Sequence, residues 1–194
     1  SIMEGKDLSA GAVAGLKHVK HPINAAYAVK TKSPHVMLSG AGAEEFAKEQ
    51  GLEMVEDNMY FATPKTMEWI EKLKQESKKN GTVGCVVLDK QGNLTAGTST
   101  GGMFKKRWGR IGDSPVIGAG TYADNNSCAV SCTGHGEYFI RHAVAFDVCA
   151  RYKYLKESVE KAADYIIHTE LNTNAGNGGL IAVDKLGNIA MPYN

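Results

Sequence analysis

A five-residue pattern, Asp-Lys-x-Gly-Asn, occurs twice in the sequence, at 89–93 and at 184–188. Each copy lies between runs rich in apolar and β-branched residues: TVGCVVL and LTAGTST flank the first, and GGLIAV and IAMPYN flank the second. A short polar segment with Gly and Asn between two such runs is typical of a hairpin turn. We therefore expect two hairpins, both in antiparallel sheets.

Helix-like and strand-like segments alternate along the rest of the chain. Three predicted helices begin near Pro22, Ala43 and Pro64. Two more are predicted at about 137–152 and 155–170. The predicted strands outside the hairpins are HVMLS at 35–39 and the segments 116–122 and 127–133. The expected architecture is a single domain over residues 1–194, with sheets packed between helices.

Charges of the two signs nearly cancel, since 22 Lys and Arg residues against 21 Asp and Glu residues give a formal net charge of +1. Without an excess of positive charge, neither a nucleic acid nor an anionic membrane surface is expected as a partner. No apolar run approaches the roughly 20 residues that cross a bilayer, and the first residues, SIMEGKDLSAG, lack the pattern of a secretory signal. The expected location is the cytoplasm.

The four cysteines, Cys85, Cys128, Cys132 and Cys149, show neither a CxxC pair nor a Cys/His spacing typical of zinc sites. Cys128 and Cys132 lie in a predicted strand, about 13 Å apart at the usual rise, which is too far for a disulfide between them. We expect reduced thiols in the core and no metal site.

Thr82 follows Gly81 at the first position of a predicted strand, directly after a charged helix end. A half-buried β-forming residue is the ordinary interpretation of such a threonine. The alternative is a nucleophile, because Gly81 can adopt a strained conformation that presses the Thr82 hydroxyl against the Gly81 carbonyl. An N-to-O acyl shift and hydrolysis of the resulting ester would free the Thr82 α-amine. Its reference pKa of about 7.7 to 8.0 suits a general base, so one residue would supply both nucleophile and base.

Hydroxyl groups also end two other predicted strands, in TSTGG at 98–102 and CTGHGE at 132–137. The Thr133 hydroxyl and the Gly134 N–H could together donate hydrogen bonds to an oxyanion, because glycine lets a ligand approach the backbone and a helix N-terminus favours negative charge. The ordinary interpretation of this second segment is a strand-to-helix turn.

Arg110 and Asp113 lie three residues apart in a glycine-rich loop, GRIGDSP. A solvated ion pair is the ordinary interpretation. The pair would also suit the head group of an amino acid, since a guanidinium can hold an α-carboxylate with two hydrogen bonds and a carboxylate can hold an α-ammonium.

Four motifs, GTVGCVVLD, TSTGGM, GRIGDSPVIGAGTYAD and CTGHGE, occur in this order, and together they resemble the plant-type asparaginases and isoaspartyl peptidases. SIMEG, NAAYAV and SPHVMLSGAGAEEFA extend the resemblance over nearly the whole chain. The resemblance implies an α+β fold, the four-layer αββα sandwich of N-terminal-nucleophile hydrolases. It also implies a precursor, or zymogen, that cleaves itself into an α fragment, 1–81, and a β fragment, 82–194.

The activity implied by the resemblance is that of a threonine hydrolase that releases L-aspartate from L-asparagine and β-aspartyl dipeptides. Such an enzyme needs no cofactor and is a homodimer of αβ units. The roles implied by the motifs are Thr82 as nucleophile, Thr100 orienting it, Thr133 and Gly134 as oxyanion hole, Arg110 on the α-carboxylate, Asp113 on the α-amine and Gly136 lining the pocket. Gly81 and Thr82 would flank the cleaved bond. His135 occupies a variable place in the motif, so no role is implied for it.

Members of this family usually carry further segments before and after the region of resemblance. An HGGAG strand and an Asn-Ala-Gly loop complete the active site and a sodium-binding segment, and another segment follows the second hairpin. We expect these N-terminal and C-terminal segments, and with them any sodium site, to lie outside residues 1–194.

Three other functions stay open from the sequence. A glycosylasparaginase would act on the same aspartyl head group, although TSTGG at 98–102 favours the plant type. The chain could instead be an inactive, truncated binding fold. Dinucleotide binding is least favoured, because Gly-Ala-Gly at 40–42 has Glu45 in place of the third glycine and Gly-Ala-Gly at 118–120 precedes a strand.

Overall fold

The computed structural model describes residues 1–64, 67–68, 81–174 and 176–194. Within these ranges the chain forms two β-sheets, one of five strands and one of four, together with helices. The mixed helix and sheet content agrees with the α+β class expected from the sequence. The predicted helix that begins near Pro64 lies largely outside the described residues.

The larger sheet contains β1 (Ile2–Glu4), β2 (Ala10–Ala14), β3 (Met37–Ser39), β4 (Thr82–Leu88) and β5 (Leu94–Thr100). Its order is β3-β2-β1-β5-β4, with β2 and β3 parallel and the other neighbours antiparallel. β4 and β5 confirm the first predicted hairpin, in which Thr82 lies opposite Thr100 and Gly84 lies opposite Thr98. This register brings two threonine hydroxyls together at the open end of the hairpin.

The smaller sheet contains, in spatial order, β6 (Thr121–Ala123), β7 (Cys128–Gly134), β8 (Gly178–Asp184) and β9 (Ile189–Ala190), all antiparallel. β8 and β9 confirm the second predicted hairpin. The strand predicted at 116–122 is wrong over most of its length. The chain turns at Gly118, where φ is +91°, and the strand begins only at Thr121.

The two hairpin turns share one set of hydrogen bonds. Asp89 Oδ1 accepts from the N–H groups of the residues two and four positions later at 2.8 Å, and Asp184 Oδ1 does the same at 2.9 Å. Each turn also has a glycine with positive φ, Gly92 and Gly187. An aspartate that caps its own turn explains why the same pentapeptide forms the same structure twice.

The helices of the described residues are α1 (Pro22–Lys32), α2 (Gly40–Glu49), a 3₁₀ turn (Asn58–Phe61), α3 (Gly136–Arg141), α4 (Val144–Ala150) and α5 (Val159–Tyr165). π-helical turns at Arg151–Leu155 and Ile166–Leu171 extend α4 and α5. α1 confirms the helix predicted from Pro22, which occupies its first turn.

The two C-terminal predicted helices differ from the structure in detail. The helix expected at 137–152 is interrupted between α3 and α4, where Ala143 has a left-handed φ of 46°. The helix expected at 155–170 begins later, at Val159, because Ser158 caps it by accepting a hydrogen bond from the N–H of Lys161.

The two sheets contact each other through β4 and β5 on one side and β7 and β8 on the other. α1 contacts β2, whereas α4 and α5 contact the smaller sheet. The largest core cluster lies between that sheet and α3, α4 and α5, and it includes the fully buried Phe139, Ile166, Ile167 and Leu171. Burial of each such side chain contributes roughly 1.5–3 kcal/mol to the stability of the folded chain. This cluster therefore holds β7 in place, and Thr133 lies near the end of that strand.

Neither Gly-Ala-Gly segment has the structure of a dinucleotide-binding loop. α2 begins at Gly40 itself, so the first segment is the opening turn of a helix and not a loop before one. The second segment forms a turn that leads into β6. The described residues therefore give no support to nucleotide binding.

Cys128, Cys132 and Cys149 are buried as expected, but Cys85 is exposed. The expectation was wrong for Cys85 because β4 is an edge strand, and alternate residues of a strand point to opposite faces. Gly84 faces the smaller sheet, and Cys85 therefore points away from it. The sulfur atoms of Cys128 and Cys149 lie 2.6 Å apart.

No helix in the described part of the chain is long and apolar enough to span a membrane. Likewise, no group of three or more His, Cys, Asp or Glu side chains within the described ranges is placed to hold a metal ion.

Candidate active site

Thr82 and Thr100 lie opposite each other where the β4–β5 hairpin ends. The Thr82 hydroxyl donates to Thr100 Oγ1 at 3.4 Å, and the Thr100 hydroxyl donates to the carbonyl oxygen of Gly81 at 2.8 Å. The N–H of Gly102 donates to Thr100 Oγ1 at 3.0 Å and holds this hydroxyl in place. A path of hydroxyl groups thus connects Thr82 with the carbonyl of the peptide bond directly before it.

Gly81 is exposed, and a Cβ atom built on it would meet no described atom within 4 Å. The described surroundings therefore do not require a glycine there for steric reasons. The strained conformation expected at Gly81 from the sequence stays a prediction.

Thr82 and Thr133 line the same cavity, which has a volume of about 290 Å³ and is bounded by residues of both sheets. Thr133 is exposed near the end of β7, so its hydroxyl is accessible to a ligand in this cavity. The structure thus brings the predicted nucleophile and one predicted oxyanion donor to a common space.

Gly134, the last residue of β7, has a φ of +150° and lies opposite Gly178, the first residue of β8. A Cβ built on Gly134 would lie 2.3 Å from the Asn177 carbonyl oxygen, and one built on Gly178 would lie 2.3 Å from the Thr133 carbonyl oxygen. Only glycine fits at these two positions without a backbone shift. Their close approach fixes the backbone of the predicted oxyanion hole.

Arg110 is held by Glu137, a residue in the first turn of α3. The Nε and Nη2 atoms of Arg110 donate to the two carboxylate oxygens of Glu137, each at 2.8 Å. This two-point geometry is typical of strong arginine–carboxylate pairs. The hydrogen bonds raise the pKa of Arg110 and lower the pKa of Glu137.

Two glycines make room for the Arg110 side chain. A Cβ on Gly112 would lie 2.8 Å from Nη1 of Arg110, and a Cβ on Gly136 would lie 3.0 Å from Nη2 and 2.8 Å from Oδ1 of Asp113. Arg110 and Asp113 can therefore share this small space only because residue 136 has no side chain. We call Arg110, Asp113 and Glu137 the clamp.

Asp113 is buried, with 5% of its surface exposed, and its Oδ2 atom has no hydrogen-bond partner among the described residues. Burial raises the pKa of this carboxyl from 3.8 to about 6, although backbone hydrogen bonds and the nearby Arg110 guanidinium lower it. A buried oxygen without a partner is costly, and a ligand that donates to it removes that cost. An ammonium group is such a ligand.

The predicted site residues fall into two neighbouring groups. The first group contains the hydroxyl residues Thr82, Thr100 and Thr133, and the second contains Arg110, Asp113 and Gly136. Thr100 and Arg110 also line a common cavity of about 340 Å³, so the groups adjoin. The catalytic and binding roles of these residues stay predictions.

Sequence reasoning missed Glu137 and Gly112. Glu137 stands in the CTGHGE motif, and an acidic residue at a helix start beside a predicted cation site is a signal that could have identified it. Gly112 lies between the predicted clamp residues Arg110 and Asp113, but the sequence does not show that a side chain there would meet the guanidinium.

Comparison with known proteins shows to which family the chain belongs. The "Isoaspartyl peptidase" of Salmonella typhimurium is 47% identical over 207 residues, in a match that includes 100% of this chain and 66% of the relative. The "Isoaspartyl peptidase" of Escherichia coli is 45% identical over 206 residues, in a match that includes 100% of this chain and 64% of the relative. "Probable isoaspartyl peptidase/L-asparaginase 2" of Arabidopsis thaliana is 42% identical over 226 residues, in a match that includes 100% of this chain and 68% of the relative.

The chain spans about two thirds of the length of these curated relatives. The model of the family described as Asparaginase matches residues 1–194. Both findings confirm the family resemblance of the sequence motifs. The chain belongs to the asparaginase family.

Proposed function

We propose that this chain acts as a threonine amidohydrolase that releases L-aspartate from L-asparagine and from β-aspartyl dipeptides. The observation that carries the proposal is the hydrogen-bond path from Thr82 through Thr100 to the Gly81 carbonyl. This path combines a nucleophile, a proton route and a scissile carbonyl in one place. The names of the relatives, isoaspartyl peptidase and L-asparaginase, describe the same class of chemistry.

Maturation begins with self-cleavage between Gly81 and Thr82. The Thr82 hydroxyl oxygen attacks the Gly81 carbonyl carbon, and its proton passes through the Thr100 hydroxyl to the carbonyl oxygen. Collapse of the tetrahedral intermediate breaks the C–N bond, leaves Gly81 esterified to Thr82 Oγ1, and transfers the proton to the released α-amine. Water then hydrolyses the ester and yields an α fragment, 1–81, and a β fragment, 82–194.

In the mature enzyme, the free α-amine of Thr82 is the base for its own hydroxyl. The hydroxyl oxygen attacks the side-chain amide carbonyl of the substrate, and the amine passes the proton to the leaving ammonia or amino acid. Water then releases L-aspartate from the acyl-enzyme and restores the hydroxyl. The Thr133 hydroxyl and the Gly134 N–H stabilise the oxyanion that forms on the substrate carbonyl. One such donor increases kcat by a factor of about 10²–10³.

The clamp recognises the aspartyl head group. Glu137 engages the Nε and Nη2 atoms of Arg110, and Nη1 of Arg110 donates to the α-carboxylate of the substrate. The Oδ2 atom of Asp113 accepts from the α-ammonium. A substrate must therefore have a free amine and a free carboxylate at fixed distances from the scissile carbonyl. Ordinary α-linked aspartyl peptides do not meet this requirement.

The finer architecture belongs to the same proposal: a four-layer αββα sandwich, paired as a homodimer of αβ units in the cytoplasm and active without a cofactor. Support for the layers comes from the contact between the sheets and from α1 and α4 contacting different sheets. Sedimentation before and after cleavage tests the pairing. Activity that disappears on dialysis against EDTA would contradict the absence of a metal requirement.

The proposed function is tested by incubating the purified protein and sequencing its fragments. The β fragment should begin TVGCVV, and aspartate should be released from asparagine, a β-aspartyl dipeptide or glycosylated asparagine when the three are assayed side by side. An uncleaved chain that remains active would overturn Thr82 as the nucleophile. If none of the three substrates released aspartate, the proposed activity would be wrong for this chain, and the inactive binding fold would be favoured instead.

A further inference from the structure

A row of buried hydroxyl groups lies beneath the site, where the two sheets face each other. Its members, Ser1, Thr98, Thr121 and Ser131, expose 7% or less of their surfaces. Thr98 and Ser131 precede Thr100 and Thr133 by two residues on the same strands, and alternate strand residues point to the same face. The hydroxyl row is therefore the layer directly below the predicted nucleophile and oxyanion hole.

The hydrogen bonds of the hydroxyl row are continuous. Thr98 Oγ1 lies 2.7 Å from Ser131 Oγ, and Thr121 Oγ1 donates to Thr98 Oγ1 at 2.6 Å. Ser1 Oγ donates to Thr121 Oγ1 at 2.8 Å, and Thr98 Oγ1 reaches the Gly120 carbonyl oxygen at 3.2 Å. A buried hydroxyl that loses its partner keeps the cost of its removal from water without a compensating hydrogen bond, so each member depends on the next.

Gly84 lets β4 approach this row. A Cβ built on Gly84 would lie 2.3 Å from Ser131 Oγ and 3.0 Å from Ser131 Cβ. Gly84 lies opposite Thr98 in the hairpin and follows Thr82 by two residues. The second glycine of the GTVG motif thus lets the strand that carries the nucleophile rest on the hydroxyl row.

The row also reaches the segment that carries the clamp. The Ser114 carbonyl oxygen lies 2.7 Å from Ser1 Oγ and 3.3 Å from Thr121 Oγ1, so either hydroxyl can donate to it as an alternative to donating along the row. Ser114 directly follows Asp113 in the sequence. The same hydroxyls therefore contact the nucleophile hairpin, the oxyanion strand and the backbone next to the clamp.

We propose that the hydroxyl row is a positioning device for the reaction, through which Thr98, Thr121 and Ser131 set the spacing between the nucleophile, the oxyanion hole and the clamp. The proposal rests on the proposed function. Thr98 lines the cavity of about 340 Å³ and Ser131 lines the cavity of about 290 Å³. The row acts through Thr100 and Thr133, which follow these two residues on their strands. Misplacement of reacting groups by about 1 Å can cost roughly 10² in rate, so loss of one of these hydrogen bonds should reduce turnover.

The test compares Thr98→Val and Ser131→Ala with Ser127→Ala. Ser127 is a matched control because it is also fully buried and donates to the Cys149 carbonyl at 2.7 Å, but it lies at the other end of β7. The measurements are the half-time of self-cleavage, kcat, KM and Tm. Both row variants should show about 10- to 100-fold lower kcat and slower cleavage, with little change in KM. Ser127→Ala should lower Tm alone, and Thr98→Ser should regain most of the kcat.

The proposal fails if the row variants fold and keep wild-type kcat and cleavage, or if Ser127→Ala lowers both rates equally. Should Thr98→Val not fold, Ser131→Ala and Thr98→Ser decide the question by the same rates. The wild type in the same assays separates the two proposals. A wild type that neither cleaves itself nor releases aspartate overturns the proposed function, whereas an active wild type with unimpaired variants overturns the positioning role alone.

Discussion

The nucleophile end of the site and the clamp end are built differently. Thr82 and Thr100 are connected by a long hydrogen bond of 3.4 Å, and Thr100 is exposed to solvent. Asp113 and Arg110, by contrast, lie in a tight space, with Asp113 buried and Arg110 bound to Glu137 at two points. We infer that the clamp is already organised in the uncleaved chain, whereas Thr82 gains the free α-amine that would serve as its base toward a substrate only after self-cleavage.

The largest effect is expected at the nucleophile end. Thr82→Ala removes the attacking oxygen, so both self-cleavage and aspartate release should be abolished, whereas Thr82→Ser keeps a hydroxyl and should retain part of each. Gel electrophoresis and an aspartate assay measure the two reactions. Binding of L-aspartate, measured by calorimetry, should persist in Thr82→Ala because the clamp is unchanged. Hydrolysis by Thr82→Ala would show that Thr82 is not the nucleophile.

Thr133→Val should lower kcat by roughly 10²–10³, because it removes an oxyanion donor and keeps the shape of the side chain. Steady-state kinetics and Tm are the measurements. Thr31→Val is the control, since Thr31 is an exposed helix residue whose hydroxyl donates to the Tyr27 carbonyl at 2.8 Å. Near-normal turnover in Thr133→Val would remove this residue from the oxyanion hole.

Arg110→Ala should raise KM and lower kcat/KM by at least about 30-fold, which corresponds to roughly 2 kcal/mol, because the substrate carboxylate and Glu137 both lose their partner. Self-cleavage involves no aspartyl substrate and should continue. Arg141→Ala is the matched control, since the Arg141 guanidinium packs 4.6 Å from the centre of the Tyr138 ring. If Arg110→Ala blocked cleavage, the two ends of the site would not be separate.

Glu137→Gln keeps the shape of the side chain and removes its charge. Because 52% of the Glu137 side chain is exposed, solvent screens the pair with Arg110, and such pairs contribute about 1 kcal/mol or less. We expect KM to rise by less than about fivefold, with kcat unchanged. A loss as large as that of Arg110→Ala would show that Glu137 binds substrate itself.

The smallest effect at neutral pH concerns the ionisation of Asp113. Below about pH 6 the buried carboxyl is protonated and cannot pair with the α-ammonium, so kcat/KM should fall with an apparent pKa near 6. This fall adds to the one that protonation of the Thr82 α-amine causes at higher pH, since the reference pKa of that amine is about 7.7 to 8.0. Asp113→Asn should lower kcat/KM at neutral pH and lose the fall near pH 6, while the fall caused by the Thr82 α-amine remains. A wild-type profile that is flat from about pH 5 to pH 7 would contradict the assignment.

The same ionisation affects stability. Burial raises the pKa of Asp113 from 3.8 to about 6, so its favourable contribution is fully present below pH 3.8 and is lost as the pH rises through about 6. Asp113→Asn carries no charge at any pH. The Tm of this variant relative to the wild type should therefore be higher at about pH 7.5 than at about pH 4.

Local sequence signals predicted much of the fold, and tertiary contacts account for what they missed. The hairpins and α1 follow from a capping aspartate and from Pro22, whose effects act within a few residues. The break at Ala143 has no such signal. It follows from hydrogen bonds between the start of α4 and the turn before β6, from the N–H groups of Ala145 and Phe146 to the carbonyls of Ala119 and Gly118.

The same distinction applies to the site. Its motif residues are predicted from their chemistry and from the family resemblance, and the structure places them in two adjoining groups. The pairs that support them join residues distant in the sequence: Arg110 and Glu137 are 27 residues apart, and Thr98 and Ser131 are 33 apart. No periodicity or turn signal of one segment predicts a partner at such a distance.

Positions 84 and 131 cannot vary independently in chains with this fold. Any side chain at 84 would overlap Ser131 Oγ, because the Cβ atom would lie 2.3 Å from it. Alanine at 84 is therefore incompatible with the present position of Ser131 Oγ, and glycine at 131 would also remove the contact of 3.0 Å with the Ser131 Cβ atom, so related sequences should covary at these two positions. A double variant, Gly84→Ala with Ser131→Gly, would restore the packing of the two sheets but not the hydrogen bond to Thr98. This double variant would thus show whether packing or the hydrogen bond to Thr98 constrains which residues can occupy positions 84 and 131.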